Sequence, residues 1–274
     1  MRAMTQADIP AAMRMKDEAG WNQTDADWHR LLAAGPEGCF VALLDDTVVG
    51  TVTTITYEGK VSWVGMVLVD SAHRGHGIGT GLLERAIAHL DGKRVASIKL
   101  DATPAGRPLY EKLGFIPEYQ VERWALTRAT HERAVNGEPV DLKDVFSLDR
   151  DVFGIDRSML LAWLREAAPE LALVSRRGSE IQGYTFGRHG SLADQLGPWV
   201  AISEGTAATL LDRFLQESRR RVFVDCVEET KWSLPLVKSR GFTFSRPLTR
   251  MYRGRNDHRG MPNLMGAVLG PEFG

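Results

Sequence analysis

The stretch from Val61 to Leu90 sets the strongest limit on the fold. Val61–Val69 is almost continuously apolar and leads through four linking residues into Arg74-Gly75-His76-Gly77-Ile78-Gly79-Thr80. The period then changes, with Leu82, Leu83, Ala86, Ile87 and Leu90 recurring on one face of a helix. A strand, a glycine loop and an amphipathic helix follow each other without a break, and that junction is chemically useful. The first N–H groups of a helix lack internal partners, and the helix dipole adds partial positive charge there. Glycines let the backbone approach an anion with no Cβ in between. The loop therefore suits a phosphate or pyrophosphate.

Three phosphate-binding patterns compete for it. A P-loop ends in Gly-Lys-Ser/Thr, but here Gly81 is followed by Leu82. A dinucleotide fingerprint reads G-x-G-x-x-G, and starting from Gly75 or Gly77 the last position is Thr80 or Leu82. The remaining pattern, Arg-x-x-Gly-x-Gly, is met by Arg74, Gly77 and Gly79.

Around this junction the chain alternates helices and strands. Residues 5–34 read as helices, with Thr24 and Asp27 spaced as a capping box. Residues 39–44 and 48–57 read as a hairpin turning at Asp45-Asp46, and Glu58-Gly59-Lys60 as the next turn. Gly92 is placed to cap the helix after the loop. Residues 95–100 read as a buried strand, 108–113 as a short helix stopped by Gly114, and 115–126 as a closing strand. The second half repeats this order: a hairpin over 172–174 and 181–188, a central strand at 197–202, a helix with Leu210, Leu211, Phe214 and Leu215, a strand at 222–225, and a helix at 233–239 before Gly241. Leu82-Leu83 and Leu210-Leu211 lie 128 positions apart, and Gly114-Phe115 and Gly241-Phe242 lie 127 apart. Two closely matching offsets of about half the chain point to an internal duplication. The boundary falls in the polar, Gly/Pro-bearing stretch near residues 127–140, giving domains 1–128 and 129–274.

At 274 residues, with 43% hydrophobic and 25% charged residues, two such domains can each bury a core. A formal net charge of −1 supplies no field to hold a polyanion, so nucleic acid is not the expected partner. The two cysteines, Cys39 and Cys226, fit a reduced protein without disulfides. No run reaches the roughly 18 apolar residues a membrane span needs, and the first residues do not read as a signal peptide, so the expected location is the cytoplasm.

The residues at the loop resemble the acyl-CoA motif of the GNAT acetyltransferase superfamily: Val67-Leu68-Val69, then Arg74 through Gly79. A second stretch, Leu100-Asp101-Ala102-Thr103-Pro104 through Leu109-Tyr110-Glu111-Lys112-Leu113-Gly114-Phe115, is similar to the family's second conserved region. The resemblance covers residues 1–126 well and the second half in layout only. It implies an α/β (α+β) fold of two GNAT-like domains, each a mixed, mostly antiparallel twisted sheet flanked by helices. It further implies direct attack of a primary amine of a small molecule or peptide on acetyl-CoA or another acyl-CoA, with no metal. Carried onto this chain, the cofactor-binding residues are Val67, Leu68, Val69, Arg74, Gly75, His76, Gly77, Ile78, Gly79, Thr80 and Tyr110, and Tyr110 is the candidate general acid. Arg74 either contacts phosphate or covers the loop, and Tyr110 either donates a proton or only packs on the cofactor. Glu58, Asp101 and a water chain all remain open as the base.

Other residues give weaker signals. Trp21, Asn22, Trp63 and Trp199 are candidates to line the acceptor site, against the commoner packing role of aromatics. His73 and His76 flank the loop as surface residues without a second metal-ligating pair, and Cys39 reads as a small buried residue. Arg219–221 and the spaced Arg246, Arg250, Arg253, Arg255 and Arg259 read as solvated faces. In the second half, residues 203–207 replace the glycine loop, and Glu204 would set a negative charge beside a pyrophosphate, so this half is not expected to bind CoA. Two other functions fit the same loop: a non-catalytic acyl-CoA-binding sensor, and an ATP- or GTP-dependent enzyme.

Overall fold

Local signals decide most of the first elements. β1 (Arg2–Ala3) pairs with a later strand, and α1 (Ile9–Glu18) carries Pro10 in its first turn, where no N–H is missed. The Thr24 backbone N–H donates to Asp27 at 2.7 Å, closing the capping box that starts α2 (Asp25–Ala34). β2 (Phe40–Leu44) and β3 (Thr47–Tyr57) turn at Asp45 and Asp46, which both adopt positive φ, 46° and 61°. Aspartates tolerate that conformation, and it matches the twist of a hairpin. Then come β4 (Val61–Val69), α3 (Ile78–Gly92), β5 (Ser97–Ala102), α4 (Arg107–Lys112) and β6 (Ile116–Leu126).

This computed structural model describes residues 1–127 and 141–274, so most of the expected boundary stretch lies outside the described residues. The second half adds α5 (Leu142–Phe153), α6 (Ser158–Ala167), β7 (Leu173–Arg177), β8 (Glu180–His189) and β9 (Asp194–Ala201). After these come α7 (Glu204–Glu217), β10 (Val222–Val227), α8 (Ser233–Ser239), β11 (Thr243–Gly254) and β12 (Met265–Ala267).

The chain forms two compact units. The first holds residues 1–117, Met251–Asn256 and Phe273; the second holds Glu118–Arg250, Asp257–Glu272 and Gly274. The closing strands are therefore exchanged between the halves of the sequence. Most of β6 belongs to the second unit, and the end of β11 belongs to the first. A stretch of mixed apolar and polar residues such as 115–126 announces a strand but not its partner, so the sequence alone places it in the first sheet.

In the first unit the strands run β1-β2-β3-β4-β5, followed by the end of β11. Leu82, Leu83, Ala86, Ile87 and Leu90 of α3 pack on Phe40, Val52, Val64, Ile98 and Leu100, all of them buried. Burying each of the Leu, Ile, Val and Phe side chains among them stabilises the unit by about 1.5–3 kcal/mol. The helix passes through Gly92 and is capped at Lys93, while Arg94 takes the left-handed conformation at φ 58°. Gly92 is thus not the cap; the chain turns two residues later than its glycine suggests.

In the second unit the order is β6-β10-β12-β9-β8-β7. Leu210, Leu211 and Phe214 of α7 meet Leu196, Val222 and Val224 in its core. The duplication is visible in backbone detail: Gly114 after α4 and Gly241 after α8 are both left-handed, at φ 84° and 82°. Arg250 departs from the sequence expectation. It is buried, 1% exposed, and donates to the Tyr119 hydroxyl at 2.6 Å. Arg246 is half-buried, and loss of solvation beside Arg123 lowers its guanidinium to about 10. Among the described residues no helix is long and apolar enough to cross a membrane.

Candidate functional site

The site in the first unit is built by a bulge. β3 and β4 pair antiparallel, but Thr51 faces Leu68 while Thr53 faces Gly65, so β4 carries one extra residue. Met66 absorbs it with φ 50°, and its carbonyl accepts from Thr51 Oγ1 at 2.7 Å. A bulge bends its strand, and the parallel pairing of β4 with β5 spans only Val61–Trp63 against Ser97–Lys99. Beyond Trp63 the two strands part. Leu68 is buried, whereas Val67 and Val69 are half-buried along the parted edge.

The parted strand delivers the chain to the glycine loop, and Asp70 holds the delivery in place. The Asp70 N–H donates to Val49 O at 2.9 Å, and its carboxylate accepts from the Ala72 N–H at 3.0 Å, shaping a single 3-10 turn at Ser71–His73. Arg14 of α1 donates to the same carboxylate at 2.6 Å, with His73 Nδ1 at 3.1 Å. The Arg14 hydrogen bond, helped by His73, lowers the Asp70 carboxyl to about 2. Sequence reasoning passed over Asp70, although an aspartate at a strand end two residues before a backbone N–H it can accept from is a recognisable turn signal.

Gly75 and Gly77 are left-handed at φ 81° and 78°, and nothing lies within 4 Å of where a Cβ would stand on either. Gly77 is the N-cap of α3 and offers no side-chain cap, and the first hydrogen bond of the helix runs from the Gly81 N–H to Gly77 O at 3.0 Å. The N–H groups of Ile78, Gly79 and Thr80 thus open α3 without a capping side chain. An anion fits such an end, as donors, dipole and lack of obstruction coincide there. Arg74 is exposed and turns its Nε back to Val69 O at 3.1 Å, covering the end of β4. His76 is exposed, its Nδ1 3.3 Å from His73 O.

Tyr110 sits on α4, its ring against Gly106 and edge-on to Phe115 at 6.0 Å between centroids. Desolvation raises its phenol to about 12. Among the described residues its hydroxyl makes no hydrogen bond. Trp63 is fully buried at the start of the parted region, Asn22 is buried in the α1–α2 turn, and Trp21 beside it is half-buried. Trp199 belongs to the second unit, packed in its core edge-on to Trp232 at 4.9 Å, as a core residue would be. Of the candidate bases, Glu58 accepts from Lys60 at 3.1 Å and Asp101 is half-buried at the end of β5. Cys39 is buried and its thiol is raised to about 11 by desolvation, which makes it a poor nucleophile.

The chain as a whole is similar to known proteins. Residues 6–115 match the profile of the Acetyltransferase (GNAT) family, and residues 145–265 match that of an Acetyltransferase (GNAT) domain. The uncharacterised N-acetyltransferase YitH of Bacillus subtilis is 24% identical over 81% of this chain and 79% of its own. The holothin acyltransferase of a Pseudoalteromonas species is 24% identical over 93% of this chain and 87% of its own. A crystal structure from Pyrococcus horikoshii, assigned as an acetyltransferase, superposes with a TM-score of 0.84 at 26% identity, covering 100% of this chain and 95% of that one. Fold and relatives together define an acetyltransferase at the level of class. The chain belongs to the GNAT superfamily and carries two GNAT domains.

Proposed function

We propose that the first unit binds an acyl-CoA and that the protein transfers its acyl group to a primary amine of a small molecule or peptide. The observation that carries this reading is the junction of the parted β4 edge with the uncapped start of α3. It offers an extended backbone for a pantetheine arm and, next to it, N–H donors for a pyrophosphate. Val67 and Val69 would hydrogen-bond the amides of the arm as an added strand does. The N–H groups from Gly75 to Thr80 would hold the pyrophosphate. When bound, acyl-CoA supplies the thioester carbonyl that the amine attacks.

Tyr110 would then act on the departing sulfur. Its phenol, at about 12, keeps its proton at neutral pH. An ordinary thiol ionises near 8.5, so a thiolate does not strip that proton outright. Tyr110 therefore stabilises the charge growing on sulfur by donating a hydrogen bond, and the net proton comes from the amine as it becomes an amide.

Thermal unfolding with acetyl-CoA, CoA, ATP and NAD, on the native sequence and on Gly77→Glu, tests the reading. A ligand at 100 times its Kd adds about 2.7 kcal/mol to the folded state. Acetyl-CoA and CoA are expected to raise the Tm of the native sequence and to leave a folded Gly77→Glu unchanged. Stabilisation by ATP alone, or by none of the four, overturns it.

A further inference from the structure

The second unit contains the same parted strands, and its own chain lies between them. β9 and β10 run parallel and pair over 194–196 against 222–224, then diverge as β4 and β5 do. In the first unit no strand pairs into the gap among the described residues. In the second, β12 enters it: Ala267 faces Trp199 of β9 on one side and Cys226 of β10 on the other, with Met265 opposite Val200. The next residue continues the ladder, the Val268 N–H donating to Asp225 O at 3.1 Å.

The surroundings are shaped for this occupant. Gly266 passes between Trp232 and Trp199, where a Cβ would meet the rings of both. Gly197 admits Val268 O at a point its own Cβ would otherwise fill. Thr230 Oγ1 lies 2.7 Å from Pro262 O and also against Met265 O, its one proton shared between the two carbonyls, fastening the approach to the strand. At the adjoining helix start the contrast with α3 is equally direct. α7 is capped by its own side chain, Ser203 Oγ accepting from the Thr206 N–H at 3.2 Å, and Glu204 lies in its first turn. The N–H donor that α3 leaves for an anion is satisfied here, beside a negative charge.

We propose that the second unit has replaced both parts of a CoA-type ligand with its own chain: β12 in place of the extended arm, and Ser203 with Glu204 in place of the pyrophosphate. It is a closed strand receptor whose occupant is Met265–Ala267, and each chain takes up one acyl-CoA. The count of one rests on the function proposed above for the first unit; the occupancy by β12 does not.

Hydrogen–deuterium exchange with and without saturating acetyl-CoA tests it. Peptides covering 195–201, 222–227 and 262–269 are expected to be protected already in the free protein and unchanged by the ligand, while those covering 64–80 gain protection. Fast exchange at 265–268 in the free protein overturns the proposal. So does ligand-induced protection at 197–207, or loss of protection at 262–269, since either means acetyl-CoA enters this gap. If 262–269 is protected and 64–80 does not respond, the function proposed for the first unit fails while the strand assignment stands. Gly266→Val, which sets a side chain against both tryptophans, is expected to speed exchange at 262–269 at least about tenfold by opening the segment locally. If that variant does not fold, the native protein still decides the matter.

Discussion

Gly77 and Gly79 stand two residues apart and owe their presence to different forces. Gly77 is left-handed with open space around it, so an alanine there meets no atom and costs only its backbone strain, about 1–2 kcal/mol. Gly79 is helical, and a Cβ on it would touch Val69 Cγ2 at an ordinary 3.5 Å. Gly79→Ala should therefore stabilise the fold by up to about 1 kcal/mol through helix propensity. Urea denaturation of the two variants reads the difference, and equal effects would show that the loop is not built as described. Tyr110 makes a second case at this scale. Because its phenol is raised to about 12, it stays protonated throughout the working range, and no alkaline loss of kcat between about pH 6 and pH 9 should belong to it. Tyr110→Phe is expected to lower kcat at least about tenfold, keep acetyl-CoA affinity, and leave the shape of the pH profile unchanged. An alkaline limb that disappears in the variant would assign a lower pKa and outright proton transfer.

Among the elements, those with a strong period were legible and those defined by partners were not. α3 announced itself through five apolar residues on one face, the β2–β3 hairpin through Asp45-Asp46, and α8 through the glycine that stops it. The bulge at Met66 left no mark, because a methionine in a left-handed conformation is an outcome of strand register, not of local preference. β12 is three residues long and contains a glycine, too little to show alternation, and its meaning comes only from the strands on either side. Arg250 looked like one of a row of surface charges because its partner Tyr119 lies 131 positions away. The glycine loop was readable because strand, loop and helix are contiguous in sequence; its anchor on Arg14 was not, for the opposite reason. His189 shows what such distant pairings do. From the end of β8 it bridges Asp194 Oδ1 and Glu170 Oε1, each at 2.9 Å, and Arg220 donates to the same Asp194 oxygen at 3.1 Å. Partial burial pulls its pKa down, but hydrogen bonds to Asp194 and Glu170 outweigh that and raise it. A raised pKa gives stability that is fully present below the unfolded value near 6.5 and is lost as pH rises through the folded value. The Tm gap between the native protein and His189→Ala should thus be widest below about pH 6.5 and shrink above it. A gap that does not change with pH would leave the bridge with no electrostatic share in stability.

For the molecule as a whole the charges nearly cancel, 34 Lys and Arg against 35 Asp and Glu. A CoA-type ligand is strongly anionic, so the overall field neither draws it in nor repels it, and under the function proposed above its recruitment would rest on the short-range donors at the start of α3. Such contacts lie well inside the screening length, which is about 10 Å at 0.1 M salt. Long-range steering has the opposite character and falls steeply with ionic strength. The KM for acetyl-CoA is therefore expected to change less than about threefold between low and near-physiological salt. Steady-state kinetics at fixed pH with rising sodium chloride makes the measurement. A rise of tenfold or more would mean that a cationic surface gathers the ligand, and Arg74, which in this structure turns back onto Val69 O, would be the first side chain to replace with glutamine.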